Sequence, residues 1–318
     1  MPPGIRIGPL NEVTAVPASL AQIDVEQDSV FTALNTSFLN DGAFVEIPNS
    51  KVVQTPIEIV FIATTATDKP VLLNPRVLII VGKNAQATVV EQYIGEGSYL
   101  TNAVTEVALG EGATLDHVKL QQESSTAYHI ASTQVVMAAR SNFTTHYLAL
   151  GGALVRNEVR VRFDGEHAEA TVNGLYLGSG KQHLDNFTVI DHAQPNCASH
   201  ELYKGILNDR AHGVFNGKIL VRKDAQKTDA KQTNKVLLLS DDATINTKPQ
   251  LEIFADDVKC THGATIGQLD AMQLFYLQSR GIPLEQARRL LTFAFANDIV
   301  GRIKIEAIRA ELETRIVR

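Results

Sequence analysis

Two stretches of this sequence bring a thiol close to an imidazole. In Asp256-Asp257-Val258-Lys259-Cys260-Thr261-His262, read as a strand, the period of two puts Val258, Cys260 and His262 on one face. A thiolate and a neutral imidazole two residues apart suit a soft or borderline metal ion. The same spacing equally suits a small buried cysteine beside a hydrogen-bonded histidine, and Cys-x-His alone does not choose between them. Cys197 and His200, in PNCASH, form a second pair where a turn enters a strand, which favours a structural role there.

Other chemistry is missing its usual signatures. The Gly213–Lys218 stretch GVFNGK has the wrong spacing for a phosphate-cradling loop and is followed by Ile219. There is no GxSxG, CxxC or HExxH. Cys197 and Cys260, the only two cysteines, cannot alone supply the four thiolates that an iron–sulfur cluster commonly takes. A carbohydrate-cleaving enzyme, the alternative function, needs clustered carboxylates, and the adjacent Asp256 and Asp257 would point to opposite strand faces. The expectation is a non-catalytic protein.

Composition excludes further classes. A formal charge of -6, without aromatic-studded basic patches, gives no electrostatic reason to expect nucleic acid or a membrane surface as partner. The start, MPPGIRIGPL, lacks the basic segment and apolar run of a signal peptide. The apolar stretch PVLLNPRVLIIVG is broken by Asn74, Pro75 and Arg76 and falls short of the about 20 residues a bilayer requires. Two cysteines favour a reducing cytoplasm over a secreted disulfide scaffold.

The elements that must position Cys260 and His262 are mostly strands. FTALNTSFLNDGAFVEIP reads as a short helix, an Asp41-Gly42 turn and a strand. From Val52 to about Ile266, β-branched runs recur between small turns. Turns near Gly82, Gly110, Ala139 and Gly165 are separated by 28, 29 and 26 residues, and those near Lys223, Asp241 and Asp256 by 18 and 15. Such spacing without a strict repeat favours a β-solenoid. A β-sandwich is the alternative, with Asn173-Gly174 and Asn216-Gly217 as its hairpin turns.

In RKDAQKTDAKQTNK, Lys223, Lys227, Lys231 and Lys235 recur every four residues, and only Ala225 and Ala230 are apolar. This composition predicts a segment unable to form a normal core strand: either a solvated edge or an interface with another chain. Near the end, Asp270 caps an apolar helix containing Met272, Leu274, Phe275, Tyr276 and Leu277, and Gly281 closes it. Pro283 starts a second helix, and Asn297 or Asp298 caps a third. These helices would form a lid on the end of the β body or a docking surface.

The blocks DAQKTDAKQTN, LLLSDDATINTKPQLEI and ADDVKCTHGATIGQLD, together with PNCASHELYKGIL and ALNTSFLNDGAFVEIP, closely resemble the SufB/SufD family of iron–sulfur cluster assembly proteins, in its SufD branch. The resemblance implies a right-handed parallel β-helix core over 51–266, a lead segment over 1–50 lacking the family's helical N-terminal region, and a C-terminal helical domain over 267–318. It also implies a non-catalytic scaffold subunit of a cytoplasmic SUF complex. That subunit would pair with a SufB-like chain or with a second copy, through Lys231, Gln232, Thr233 and Asn234. A SufC-like ABC ATPase would dock on the C-terminal helices, through Leu274, Phe275, Tyr276, Arg280 and Gly281. His262 aligns with the histidine implicated in cluster formation, and Cys260 stands beside it. The SufB branch carries a cysteine in the segment resembling KQTNKVLLLS, and this chain has none there. The implied cargo is a transient iron–sulfur cluster or iron at the assembled interface, with no cofactor held tightly by this chain alone.

Overall fold

Runs of about ten residues alternate apolar or small side chains with polar ones, and each run closes on a tight turn, so the chain is built to form strands with one face buried. The computed structural model describes residues 4–12, 30–40, 42–64 and 71–317. The expected Asp41-Gly42 turn falls partly outside them, at Asp41. Strand β1 (Arg6–Pro9) runs antiparallel to β2 (Gly42–Ile47), with helix α1 (Val30–Ser37) between them in sequence. All other strand pairings among the described residues are parallel.

The strands form two sheets, and from β5 onward successive strands fall alternately into them. The first contains β1, β2, β4 (Leu72–Leu73), β5 (Arg76–Val81), β7 (Leu100–Leu109), β9 (Tyr128–Met137), β11 (Leu154–Phe163), β13 (His183–His192), β15 (His212–Val221) and β17 (Thr244–Ile253). The second contains β3 (Ile57–Thr64), β6 (Gln86–Glu96), β8 (Thr114–Glu123), β10 (Asn142–Ala149), β12 (Glu169–Gly178), β14 (Ala198–Leu207), β16 (Asp229–Leu238) and β18 (Lys259–Gly267). Three helices follow: α2 (Ala271–Ser279), α3 (Leu284–Val300) and α4 (Glu306–Val317). The chain is a parallel β-solenoid.

Thr114, Asn142, Glu169, Ala198, Asp229 and Lys259 stack in register, so successive coils take 28, 27, 29, 31 and 30 residues. The shorter spacings of 18 and 15 arise because Asp241 turns the opposite corner from Lys223 and Asp256, between β16 and β17. At the corner leading into the second sheet, Ser50, Asn84, Gly112, Arg140, His167, Asn196 and Lys227 all adopt the left-handed region, with φ between 53° and 67°. That conformation turns the backbone N–H along the solenoid axis. Asn84, Gly112, Arg140, Asn196 and Lys227 donate to carbonyls of the following coil, those of Glu111, Ala139, Glu166, Gln226 and Asp257, at 2.6–2.9 Å.

The core lies between the sheets, with Val77, Ile79, Leu115, Phe143, Phe163, Ile190, Phe215 and Ile219 among its buried residues. Each such side chain contributes about 1.5–3 kcal/mol through burial. Asn173-Gly174 and Asn216-Gly217 are not hairpin turns. They lie inside β12 and β15, where a Cβ on Gly174 would collide with Tyr203 of the paired strand β14 and one on Gly217 with Gln232 of β16 in the facing sheet. The glycines make room for large neighbours in the stack.

The segment judged unable to form a core strand does form one. Ala225 and Ala230 are fully buried at the corner and in β16, and Gln232 and Asn234 also point inward. Their amide nitrogens donate to Glu201 at 2.6 Å and Thr247 at 3.0 Å, so polar side chains occupy core positions there. Asp256 and Asp257 sit in the turn before β18, where Asp257 pairs with Lys227.

The outer faces are covered unequally. On the second sheet, Ile299, Val300, Ile303 and Leu312 of the α3–α4 region bury Val118, Leu120, Leu148, Leu175 and Ile206. The last two helices therefore cover a face of the solenoid, not its end. Asn297 and Asp298 lie within α3 and do not cap α4; Asp298 pairs instead with Lys204. On the first sheet, α1 is fastened by Arg76, which is 2% exposed. Arg76 binds Glu106 at 2.8 Å and donates to the side-chain amide oxygen of Asn35 at 3.0 Å and the Thr36 hydroxyl at 3.1 Å.

Candidate functional site

Cys260 and His262 belong to β18, the last strand of the second sheet. The period of two places both on the inward face, in register with Ala230 and Gln232 of β16. No strand among the described residues pairs with the far edge of β18 or of β17. The inward face of this final coil consequently lacks a coil above it. Cys260 is half-buried and His262 exposed, whereas the residues stacked below them are fully buried. Ile253, Phe254 and Ile266 also stand exposed at this end.

Burial pushes the Cys260 thiol up, partly opposed by a hydrogen bond with the Ala230 backbone, so the sulfur keeps its proton at neutral pH. A metal ion would have to displace that proton. Among the described residues, no group of three or more His, Cys, Asp or Glu side chains is placed to hold a metal ion. Cys260 and His262 are two donors on an open face, sufficient for part of a coordination sphere and short of a whole one.

Of the four residues expected at a subunit interface, the structure leaves Lys231 exposed and Thr233 half-buried on the outward face of β16. Gln232 and Asn234 point inward and are each 1% exposed, one coil beneath the open end. Direct contact with a partner is closed to them, because alternation in β16 commits them to the core. Gln232 instead donates to Glu201, whose carboxyl is pushed up to about 7 by burial against the opposing hydrogen bonds of Gln232 and Thr188.

Cys197 is buried in the turn before β14 and donates to the Gly165 carbonyl at 3.3 Å, while His200 lies on the outward face of that strand. This pair is structural.

Asp270 caps α2, accepting from the backbone of Met272 and Gln273 at 2.7 and 3.1 Å. Gly281, with φ of 84°, closes the turn after it. The helix contacts α3 and leaves Met272, Phe275 and Tyr276 between 58% and 73% exposed. Leu274 and Leu277 are half-buried, and the Arg280 guanidinium lies 5.4 Å from the Tyr276 ring centroid. Leu284 and Leu290 of α3, which packs against α2, are exposed as well, and exposed apolar side chains in such number are of the kind that marks an interaction site.

One group of residues was missed in the sequence. Glu91, His117, Lys119, Glu123 and His129 are all buried inside the early coils. Burial alone would raise the Glu91 carboxyl. The hydrogen bond and charge of His117, the Lys119 ammonium and the Tyr93 hydroxyl hold it at about 2 instead. The signal was the alternation His117, Lys119, Gln121, Glu123, which marks a polar strand face without saying that the face looks inward.

Residues 61–295 match the family model described as SUF system FeS cluster assembly, SufBD core domain. The chain belongs to this SufBD family. It is 37% identical over 295 residues to an iron–sulfur cluster assembly SufBD family protein of Synechocystis, covering 90% of this chain and 65% of that protein. It is 36% identical over 236 residues to the iron–sulfur cluster assembly protein SufD of Escherichia coli, covering 74% of this chain and 56% of the relative. To SufD of Bacillus subtilis it is 31% identical over 294 residues, covering 90% and 66%. The chain thus spans less than two thirds of each of these three relatives. No helix among the described residues is long and apolar enough to cross a membrane.

Proposed function

We propose that this SufBD-family chain is a SufD-like scaffold subunit for iron–sulfur cluster assembly, which contributes part of a cluster site and no catalysis of its own. The observation that carries this reading is the uncapped final coil, on which Cys260 and His262 share one face and, among the described residues, no third ligand stands near. In this reading a second chain, a SufB-like subunit or another copy, stacks against β17 and β18. It supplies the remaining thiolates to the nascent cluster or iron, which is cargo. The unpaired strand edges and the exposed Ile253, Phe254 and Ile266 give that chain both hydrogen bonds and apolar area. The apolar surface of α2, through Leu274, Phe275, Tyr276, Arg280 and Gly281, would receive a SufC-like ABC ATPase, which would supply the nucleotide chemistry for which this sequence has no loop.

Co-purification of the tagged chain, followed by anaerobic loading with iron and sulfide, tests the proposal. A SufB-like chain and an ABC ATPase should accompany the tag. His262→Ala should lower cluster absorbance of the complex at least tenfold while the complex stays assembled. Unchanged loading would remove His262 from the site.

A further inference from the structure

The core of this solenoid is unusual in leaving polar atoms without partners along its axis. Lys119, Tyr147 and Tyr203 lie in one register column of the second sheet, with Gly174 between the two tyrosines. The Tyr203 ring leans into the space over Gly174, where any side chain would collide with it. Asn157 and Asn186 form a register pair pointing inward from the first sheet. Glu201 and Gln232 form a second register column, two residues nearer the strand starts, in which the next residue is His262.

All seven residues beneath His262 are at most 3% exposed. Yet the Lys119 ammonium, the Tyr147 and Tyr203 hydroxyls, both amide atoms of Asn157, and one oxygen each of Asn186, Glu201 and Gln232 have no hydrogen-bond partner in the protein. Such an atom, buried dry, costs far more free energy than a satisfied one, and for an ammonium the penalty is larger still. Water is the partner that fits, since the site is polar and its donors and acceptors are interleaved. The atoms also recur: every coil from β8 to β16 contributes at least one, over about 19 Å at about 4.8 Å per coil.

We propose that the solenoid axis is a water-binding channel, in which bound water links Lys119 to Gln232 and reaches the open end beneath His262.

Oxygen-17 relaxation dispersion on the whole chain, without iron, sulfide or partners, counts waters held longer than nanoseconds. At about three hydrogen bonds per buried water, the eight unpartnered atoms require about three such waters. Tyr203→Phe and Asn157→Leu, which keep side-chain volume and delete partners, should each lower the count by about one. A count of zero in the unaltered chain would overturn the proposal without needing either variant. So would a count that neither folded variant changes, since the waters would then lie elsewhere. A dry axis would leave the scaffold reading standing, and failed cluster loading would leave the channel standing, so the two ideas fail separately.

Discussion

At the scale of single residues, Glu201 should govern the pH dependence of stability. Its carboxyl titrates at about 7 in the fold against an ordinary 4.5, chiefly through burial, and Tyr203 on its own strand is the titratable neighbour. Between those values the folded chain binds more protons than the unfolded one, so stability falls as pH rises through this window. Above pH 7 the accumulated penalty is about 3 kcal/mol. Glu201→Gln puts a neutral amide of nearly the same size in the place of the carboxyl. It should flatten the urea midpoint between pH 5 and 7.5 and leave the variant at least as stable as the parent at pH 8. Parallel curves for the two proteins would exclude Glu201 as the source. Cys260 and His262 were legible in the sequence because a period of two is enough to put them on one face. The inward placement of Gln232 and Asn234 was not, since alternation defines two faces without naming the one that the coil encloses.

At the scale of elements, the corners and the α1 clamp carry the testable energetics. A left-handed backbone costs a non-glycine residue about 1–2 kcal/mol, and glycine forfeits part of that advantage through its freer unfolded chain. His167 is exposed at one such corner, so His167→Gly should stabilise the protein by about 0.5 kcal/mol in urea denaturation. A clear loss would mean that the His167 side chain, not the backbone, holds the corner. Arg76→Ala removes one partner of a buried ion pair together with the hydrogen bonds that fasten α1 at Asn35 and Thr36, which should cost about 3 kcal/mol. Protease cleavage within α1 should rise in parallel, and unchanged stability would show that α1 is held by something else. The turns themselves were readable from Gly, Asn and Asp. What could not be read was which of two corners each turn occupied, and so the spacings of 18 and 15 looked like a shorter repeat. Asn297 and Asp298 misled for a related reason. Both residue types favour helix starts, but α3 is held through that point by apolar packing of Ile299 and Val300 on the second sheet.

At the scale of the whole molecule, two surfaces stand exposed: the uncapped last coil and the apolar flank of α2. Phe275→Asp puts a charge at the centre of the second surface without touching the core, since Phe275 is 67% exposed. If α2 receives the ATPase, this variant should weaken its capture at least tenfold in a pull-down, with thermal stability and capture of the SufB-like chain unchanged. Equal loss of both partners would point to a general folding defect, and no loss would move the docking site away from α2. The solenoid was recognisable from recurrent strands alone. The covering of one face by α3 and α4 was not, because apolar residues on outward strand positions, such as Leu120, Leu148 and Ile206, are indistinguishable in sequence from core ones.

The register has a consequence for synthesis. Each coil of β8 through β18 lays its strands on those of the coil before it, about 30 residues earlier in the chain. Such a body can be wound from its beginning as it leaves the ribosome, one layer at a time. Cys260 and His262 ride on the final layer. A chain interrupted at any earlier layer carries neither residue, so incomplete products enter no pairing that depends on them.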